Sequence, residues 1–491
     1  MDYWQFERTV LITTVFSKLC IWFTIISAAV FNFGPVHPST HGVLRLISIL
    51  HGELIQWITP EIGLLHRGTE KLIECNYYTS TIPYFDRFDY VSTITQELIF
   101  VHALERLIGT IGYIYLSIWR TIFIEYYRIL NHCLAITTHA IDIGLFTLML
   151  WSFEEREKLI HFSEIISGTR FHAAFILIGR LRYDISLRWI ESFVYWLIHF
   201  VRKLKEIHIL LSMNRLWRTR LYEIGIIERD FCLYFGLSGL LSRSVKIWID
   251  ARFSGYEFYI CYDYSLFIAT NGDCLDRYLL RFNEIIESSR QIYAILYIMI
   301  TFGYIGSRSS RSCFDWKKVD HSNAKISDNV EQNRTTVIAK QNRSCSSRIF
   351  IMELLIMEFL IKLPFILSII NELKLSIESS KGIYSIFIHS FPIISSNIIS
   401  NDYLTLYQLN KFCRYINIGD LIAVLGSIDF VLGSVDCCFI KINLLFYLCF
   451  SYFFFPVDDC LLKTTERAKD VRNILFSQWI MFGRSQKRRP K

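Results

Sequence analysis

Two histidines near the N-terminus, His37 and His41, have the residue type and the setting to bind a ligand or to move protons. They lie in the segment NFGPVHPSTHGVLR, which holds two of the eight prolines of the chain. Proline fixes its own φ and disfavours helical geometry in the residue before it, so the segment predicts a stiff, non-helical loop. Imidazole titrates near neutral pH and is the commonest metal ligand, so proton transfer and metal binding are the two chemistries to consider. A rigid turn with incidental histidines is the alternative that a single motif leaves open.

The cysteine pattern disfavours a metal centre held by this chain. Two histidines supply only half of a tetrahedral site, and they have no neighbouring cysteine or carboxylate ligand. The thirteen cysteines are scattered, with no C-x-x-C pair of the kind that binds zinc or an iron–sulfur cluster. We therefore expect no metal ligands in this chain.

A carboxylate, Asp142, stands in an apolar stretch where an unpaired charge is costly. Residues 132–151 are apolar on nearly every face of a helix, which predicts one buried helix with Asp142 far from either end. A buried carboxylate needs a cationic or hydrogen-bonding partner. His139 precedes it by three residues and falls on the same helical face. We therefore predict a chemical role for Asp142 rather than a capping role.

Hydrophobic periodicity predicts the elements that position these groups. Alternation after Val43 predicts a β-hairpin that turns at residues 51–52 and ends at Pro60, with the histidine loop at its mouth. Residues 307–348 are polar and lack periodicity, which is typical of a linker or a surface insertion. Helical periodicity dominates the region between, over residues 93–108, 153–166, 188–211 and 276–297.

Several motifs occur in an order and spacing that resemble one family. They are GPVHPSTHGVLR, GLLHRGTEKL, PYFDRFDYVS, THAIDIG, WSFEEREKL, SGTRFHAA and NGDCLDRYL. Together they resemble the 49-kDa-type quinone-site core subunit of respiratory complex I (NADH:ubiquinone oxidoreductase), mitochondrial type, which is related to the large subunit of nickel–iron hydrogenases. The resemblance covers residues 27–305 and, more weakly, 352–436.

The resemblance implies an α+β fold in which an N-terminal antiparallel β-hairpin region packs on a mainly α-helical bundle core. A smaller mixed segment follows at the C-terminal side. The expected boundaries are a divergent N-terminal extension (1–26), a β-rich region with the quinone-site loop (27–91), a helical core (92–306), a polar linker or insertion (307–348), a mixed segment (349–437) and a lineage-specific extension with a basic tail (438–491).

The resemblance also implies a catalytic set. His41 and Tyr90 would contact the two ends of a quinone headgroup, and Asp142 would be the partner of His41. Quinone reduction needs hydrogen-bond donors and a route for protons, which a histidine and a phenol supply.

A second set would face cofactors without being catalytic. Arg67, Arg87 and His172 take family positions near an iron–sulfur cluster, and Asp429 takes the position of a quinone-cavity aspartate. The full cofactor-facing set is His37, Arg67, Arg87, His139, His172 and Asp429.

The implied cofactors are ubiquinone, as substrate, and a 4Fe-4S cluster held by a neighbouring small subunit. The other implied partner is the membrane-arm subunit at the quinone channel, with no nucleic acid. The implied location is the matrix-side peripheral arm at the mitochondrial inner membrane. No glycine-rich G-x-G-x-x-G turn follows a strand, so NADH or flavin binding by this chain is not expected.

Two alternatives remain open. A divergent structural subunit of the same assembly is kept open by residues 177–180, which replace the Arg-Pro-Gly-Gly of the family. A hydrogenase-like large subunit is disfavoured because paired cysteines are missing.

Three apolar stretches approach the length of a membrane span: residues 10–33, 349–370 and 437–457. Charges interrupt each of them, and the uninterrupted run 444–455 is shorter than the roughly 20 residues that cross hydrocarbon. We expect buried or interfacial packing instead. The run 444–455 is predicted to dock onto neighbouring subunits, and the basic tail after Gly483 to be partly exposed.

Overall fold

The computed structural model describes residues 29–34, 43–76, 78–108, 114–261, 264–301, 335–340, 372–389 and 395–437. His37, His41, the run 444–455 and the basic tail lie outside these residues. Within the described residues no helix is both long and apolar enough to cross a bilayer.

The N-terminal region forms a three-stranded antiparallel sheet. Its strands are β1 (Ala29–Phe33), β2 (Arg45–His51) and β3 (Leu54–Glu61), in the order β1-β2-β3. The predicted hairpin is confirmed in β2 and β3, which turn at Gly52 with a φ of 65°. Strand β1 was not predicted, because four of its five residues are exposed and its sequence continues an apolar stretch. Since Phe33 pairs with Leu46, the histidine loop joins two neighbouring strands.

The middle of the chain is mainly helical, as predicted. The helices there are α1 (Thr69–Cys75), α2 (Tyr78–Phe85), α3 (Thr93–Ile108), α4 (Ile114–Ile143), α5 (Phe146–Ser167), α6 (Leu187–Met213), α7 (Arg215–Leu221), α8 (Arg229–Phe235), α9 (Leu240–Ser244) and α10 (Cys274–Thr301). Short 3₁₀ turns cover Ala251–Ser254 and Glu257–Cys261, and β4 (Ile176–Leu177) pairs with β5 (Arg180–Leu181). Helix α4 is about 45 Å long at 1.5 Å per residue and packs against α5 and α10.

The single helix predicted over residues 132–151 is wrong. Helix α4 ends at Ile143 and α5 begins at Phe146. Gly144 has a φ of 99°, a backbone conformation that glycine adopts without steric cost and that ends the helix. Asp142 therefore lies in the last turn of α4 and is only partly buried. It is still no cap, because a carboxylate is unfavourable at the negative end of a helix dipole.

The C-terminal part combines a second three-stranded antiparallel sheet with short helices. Its strands are β8 (Glu372–Ser379), β9 (Gly382–His389) and β10 (Ser395–Ile399), and its helices are α11 (Asn401–Tyr407), α12 (Leu409–Phe412), α13 (Ile418–Ile428) and α14 (Leu432–Cys437). Strand β6 (Ser265–Ala269) pairs with β7 (Thr335–Lys340), which lies inside the predicted polar linker. At least this part of residues 307–348 has regular structure, and Thr-Thr-Val-Ile is a composition that suits a strand.

Buried arginines fix the turn between β8 and β9. Arg128 of α4 donates hydrogen bonds to the carbonyl oxygens of Glu378 and Ser379, each at 3.3 Å. Arg243 donates to the carboxylate of Glu378 at 3.0 Å, and both side chains are fully buried. The turn Ser379–Gly382 is thus held against α4 and α9, which fixes the backbone of Lys381.

Candidate functional site

Tyr90 lies in the loop between α2 and α3, and its backbone is fixed by the preceding residue. The Asp89 carboxylate accepts hydrogen bonds from the amides of Val91 and Ser92, at 3.2 and 3.3 Å. This local turn buries Asp89 and leaves the Tyr90 side chain 36% exposed. Among the described residues none forms a hydrogen bond with the Tyr90 hydroxyl.

A buried cation, Lys381, pairs with Asp89 and is electrostatically coupled to Tyr90, Asp402 and Asp429. Its ammonium nitrogen lies 3.5 Å from Oδ1 of Asp89, and its side chain is 5% exposed. Burial alone lowers the pKa of Lys381, but the charges of Asp89, Asp429 and Asp402 outweigh burial and raise it. Lys381 is therefore charged at neutral pH.

Asp402, at the start of α11, is a buried carboxylate of this group. Its Oδ2 accepts hydrogen bonds from the Ser434 hydroxyl at 2.5 Å and from the Val431 amide at 3.2 Å. Burial raises the pKa of Asp402 to about 7, against the opposing charge of Lys381. Asp402 can thus hold or release a proton near neutral pH beside Tyr90.

The Tyr90 phenol is electrostatically coupled to this group. Burial raises the pKa of Tyr90; Lys381 opposes the shift, and Asp89, Asp429 and Asp402 add to it. The phenol is therefore neutral at physiological pH and able to donate a hydrogen bond. We call Tyr90, Lys381, Asp89, Asp402 and Asp429 the lysine cluster.

Asp429 and Asp142 meet the same helix, α13. Asp429 follows the last residue of α13 with a φ of 57°, and its carboxylate accepts a hydrogen bond from Asn131 of α4 at 2.9 Å. A β-carbon added to Gly426, one turn earlier, would lie only 2.8 Å from Oδ2 of Asp142. A glycine at this position therefore allows α13 to approach the end of α4, which brings Asp142 into the region of Asp429.

His139 is placed behind this region rather than on its surface. Its side chain is 1% exposed, and its ring lies 5.1 Å from the ring of Trp217. Burial, with help from Arg281 and Arg277, lowers the pKa of His139 to about 3. His139 is therefore neutral. The predicted partner of Asp142, His41, lies outside the described residues.

Arg87 and His172 form a second group. Nδ1 of His172 donates a hydrogen bond to the carbonyl oxygen of Asp86 at 3.1 Å, next to Arg87 in the chain. Arg87 is exposed and donates to the carbonyl oxygen of Pro83 at 2.5 Å. The two predicted residues therefore lie close together, with a cation facing outward.

Arg67 is exposed in the loop between β3 and α1, and Asp436 holds that loop. The carboxylate of Asp436 accepts hydrogen bonds from the amides of Gly63, at 2.9 Å, and Leu65, at 2.6 Å. Its carbonyl oxygen accepts a hydrogen bond from Nδ1 of His66 at 2.7 Å. Asp436 is the last residue of the resemblance, and no local sequence pattern indicates its contact with residues 63–66.

Replacing Asp436 by asparagine tests this anchoring. One acceptor oxygen becomes an NH₂ group that faces a backbone amide, so one hydrogen bond is lost at a cost of about 1–3 kcal/mol. We expect a lower melting temperature of the assembled protein and faster proteolysis at residues 62–68. The matched control is Asp420→Asn, which removes only a more exposed pair with Arg220. Equal melting temperatures for D436N and D420N would contradict the anchoring role.

Gly433 explains why the last described helix, α14, can pack on the Tyr90 loop. A β-carbon on Gly433 would lie 2.4 Å from the carbonyl oxygen of Phe88 and 2.8 Å from that of Arg87. Residues 429–436 therefore contact the loops that carry Tyr90, Arg87 and Arg67.

Within the described ranges no group of three His, Cys, Asp or Glu side chains could hold a metal ion.

Sequence comparisons identify known proteins to which this chain is similar. Residues 142–437 match the family described as the 49 kDa subunit of respiratory-chain NADH dehydrogenase. The chain is 37% identical over 409 residues to the NADH-ubiquinone oxidoreductase 49 kDa subunit of Acanthamoeba castellanii, a match that covers 82% of this chain and 95% of the relative. It is 36% identical to the 49 kDa subunit of Reclinomonas americana, over 82% of this chain and 96% of the relative. A bacterial NADH-quinone oxidoreductase chain, from Rhizobium meliloti, is 37% identical over 82% of this chain and 97% of its own length.

The family model covers residues 142–437, which include the C-terminal segment and much of the helical region. A family model covering more than half of the chain agrees with relatives matched over nearly their whole length. The chain therefore belongs to the 49 kDa subunit family of respiratory complex I and is a subunit of NADH–quinone oxidoreductase.

Proposed function

We propose that this subunit forms the quinone headgroup site of complex I, with Tyr90 and His41 as the two headgroup contacts and ubiquinone as the substrate. Reduction of a quinone takes two electrons and two protons, so donors are needed at both carbonyl oxygens. Tyr90 would donate to one oxygen as a neutral phenol, and His41 to the other. The runner-up is a structural subunit of the same assembly with reduced chemistry.

The position of Tyr90 is the observation that carries the proposal. Its loop backbone is held by Asp89, its hydroxyl is not hydrogen-bonded to a described residue, and a buried ammonium group faces it. A phenol whose only structural task was to stabilise the fold would be expected to bond a neighbouring acceptor. The arrangement suits a residue that keeps its hydrogen bond for a ligand.

Asp142 would orient His41 and favour its protonated form. It sits beside Gly426 at the end of α4, in the same region as Asp429, which we propose lines the cavity. His139 would act only by packing behind Asp142, because its low pKa keeps it neutral. His37, in the same loop as His41, remains part of the proposed cofactor-facing set.

Electrons would enter from the side of Arg67, Arg87 and His172. The 4Fe-4S cluster would be held by the neighbouring small subunit, because no C-x-x-C pair occurs in this chain and the described residues offer no ligand group for it. Cations near a cluster stabilise its reduced, more negative form. The membrane-arm subunit at the quinone channel would be the second partner, on the matrix side of the mitochondrial inner membrane.

Tyr90→Phe tests the headgroup assignment. We expect the complex to assemble normally and its quinone reductase kcat/KM to fall roughly 5- to 150-fold, since one hydrogen bond to a buried polar ligand is worth about 1–3 kcal/mol. The matched control is Tyr415→Phe, which changes a tyrosine that is 63% exposed. Wild-type quinone reductase activity in a fully assembled Y90F complex would favour the structural alternative.

A further inference from the structure

Two buried carboxyl groups outside the lysine cluster face each other behind His172. Asp86 follows α2 and Glu97 belongs to α3, and both side chains are completely buried. Oδ2 of Asp86 accepts a hydrogen bond from the Ala174 amide at 2.9 Å, and Oε2 of Glu97 accepts one from the Ile176 amide at 2.7 Å. Both carboxyl groups thus hold the same short segment.

The other oxygen of each group lacks a conventional donor. Oδ1 of Asp86 and Oε1 of Glu97 are buried and receive no hydrogen bond from another described group, yet the two carboxyl groups lie within hydrogen-bonding reach of each other. Two ionised carboxylates at this distance repel, and neither has a proton to donate. One proton placed between them removes the repulsion and satisfies both oxygens, as in paired-carboxylate sites generally.

The surrounding charges indicate which group holds the proton. Burial raises the pKa of both groups; His172 and Arg87 oppose this at Asp86, whereas the negative charge of Asp86 raises the pKa of Glu97 further. The Tyr127 phenol also faces the pair, but burial raises its pKa to about 12 and it stays neutral. The charge therefore resides on Asp86 and the proton on Glu97.

The segment that the pair holds has a backbone conformation that needs such support. His172 has a φ of 53° and Ala174 a φ of 43°, in the left-handed region that L-residues seldom adopt. The Asp86 carbonyl oxygen also accepts the hydrogen bond from Nδ1 of His172, so Nδ1 carries a proton in either form of the ring. Asp86 thus determines both the loop conformation and the tautomer of His172.

We propose that Asp86 and Glu97 share one proton and act as positioning residues for His172 in the electron-transfer reaction. Glu97 donates to Asp86, and the two carboxyl groups together clamp residues 172–176. The shared proton is a property of this chain. Only the activity readout of its test rests on the proposed function.

The test compares Glu97→Gln with Glu97→Ala in the assembled complex. Glutamine donates the same hydrogen bond to Asp86 through its NH₂ group and still accepts from Ile176. We expect E97Q to keep quinone reductase activity within about twofold of wild type, and E97A to lose roughly tenfold. Glu154→Gln on the exposed face of α5 is the matched control for loss of one carboxylate.

The decisive readout is the melting temperature of the complex as a function of pH, which does not depend on quinone turnover. Glu97 binds its proton more tightly in the folded state, so the stability it contributes is present at low pH and is lost as the pH rises through its raised pKa. Glutamine cannot lose that proton. The melting temperature of E97Q should therefore rise relative to wild type as the pH increases.

The outcomes separate cleanly. A higher melting temperature of E97Q than of wild type at alkaline pH, together with reduced activity of E97A, supports the shared proton. This holds even if Y90F leaves the activity unchanged. The proposal would be overturned if the melting temperature of E97Q parallels that of wild type at every pH. It would also be overturned if E97Q loses as much quinone reductase activity as E97A.

Discussion

Replacing Lys381 by methionine is expected to lower the stability of the subunit by about 3–5 kcal/mol, because the change leaves buried carboxylates without their cation. The side chain of Lys381 is 5% exposed, and its ammonium group pairs with the carboxylate of Asp89, whose side chain is 2% exposed. Asp402 and Asp429 face the same charge. The expected result is reduced assembly of the complex and loss of quinone reductase activity in what assembles.

The pH dependence of this loss distinguishes a charge effect from a packing effect. Lys381 lowers the pKa of Asp402, which burial raises to about 7, so the K381M variant raises that pKa further. Protonated Asp402 carries no charge and adds no repulsion, whereas ionised Asp402 needs the cation. The difference in melting temperature between wild type and K381M should therefore grow from about pH 6 to about pH 8. Lys381→Arg, which keeps the charge, should lose less, and Lys203→Met on the exposed face of α6 should lose little. A difference that does not change with pH would mean that the side chain acts by packing alone.

Arg243→Met is expected to destabilise the helical region by a similar amount, about 3–5 kcal/mol. The fully buried guanidinium group contacts the carboxylates of Asp250, at 3.3 Å, Glu284, at 2.8 Å, and Glu378, at 3.0 Å. Burial alone raises the pKa of Glu284, but Arg243 above all holds it well below the ordinary value. Removing the cation breaks the buried ion pair of Glu378, while Asp250 keeps a pair with Arg252 and Glu284 keeps a hydrogen bond with His132.

Arg243→Met should also disturb the β8–β9 turn, because Glu378 leads into that turn. Limited proteolysis of the assembled complex, followed at residues 378–382, is the readout. The matched control is Arg170→Met, which removes an exposed pair with Glu157. Stability of R243M within about 0.5 kcal/mol of that control would contradict the structural role of the buried network.

The periodic elements and the family motifs were predictable from the sequence. Strand β2 alternates buried and partly buried residues, and such a local pattern followed by a turn identifies a hairpin. Helix α5 ends at Ser167, and the next residue, Gly168, has the left-handed φ of 76° that commonly ends a helix. Tyr90, Arg87 and His172 lie on the motifs that predicted them, although their roles remain proposals.

The features that could not be predicted, the lysine cluster above all, depend on contacts between segments that are distant in the chain. The lysine cluster joins residues of three separate segments, and a lone lysine after β8 carries no signal that a buried carboxylate will meet it. The SSKG sequence around Lys381 indicates a turn but not the helices that bury it. The break at Gly144 was missed because apolar residues continue on both sides, and only the backbone conformation separates α4 from α5.

The proposed function depends above all on the contact between Tyr90 and the quinone headgroup. Electron cryo-microscopy of the assembled complex with a bound short-chain quinone tests this contact directly. We expect one carbonyl oxygen of the headgroup at about 3 Å from the Tyr90 hydroxyl, with the other oxygen directed to His41. A headgroup that is bound in the complex but forms a hydrogen bond with neither Tyr90 nor His41 would contradict the proposal.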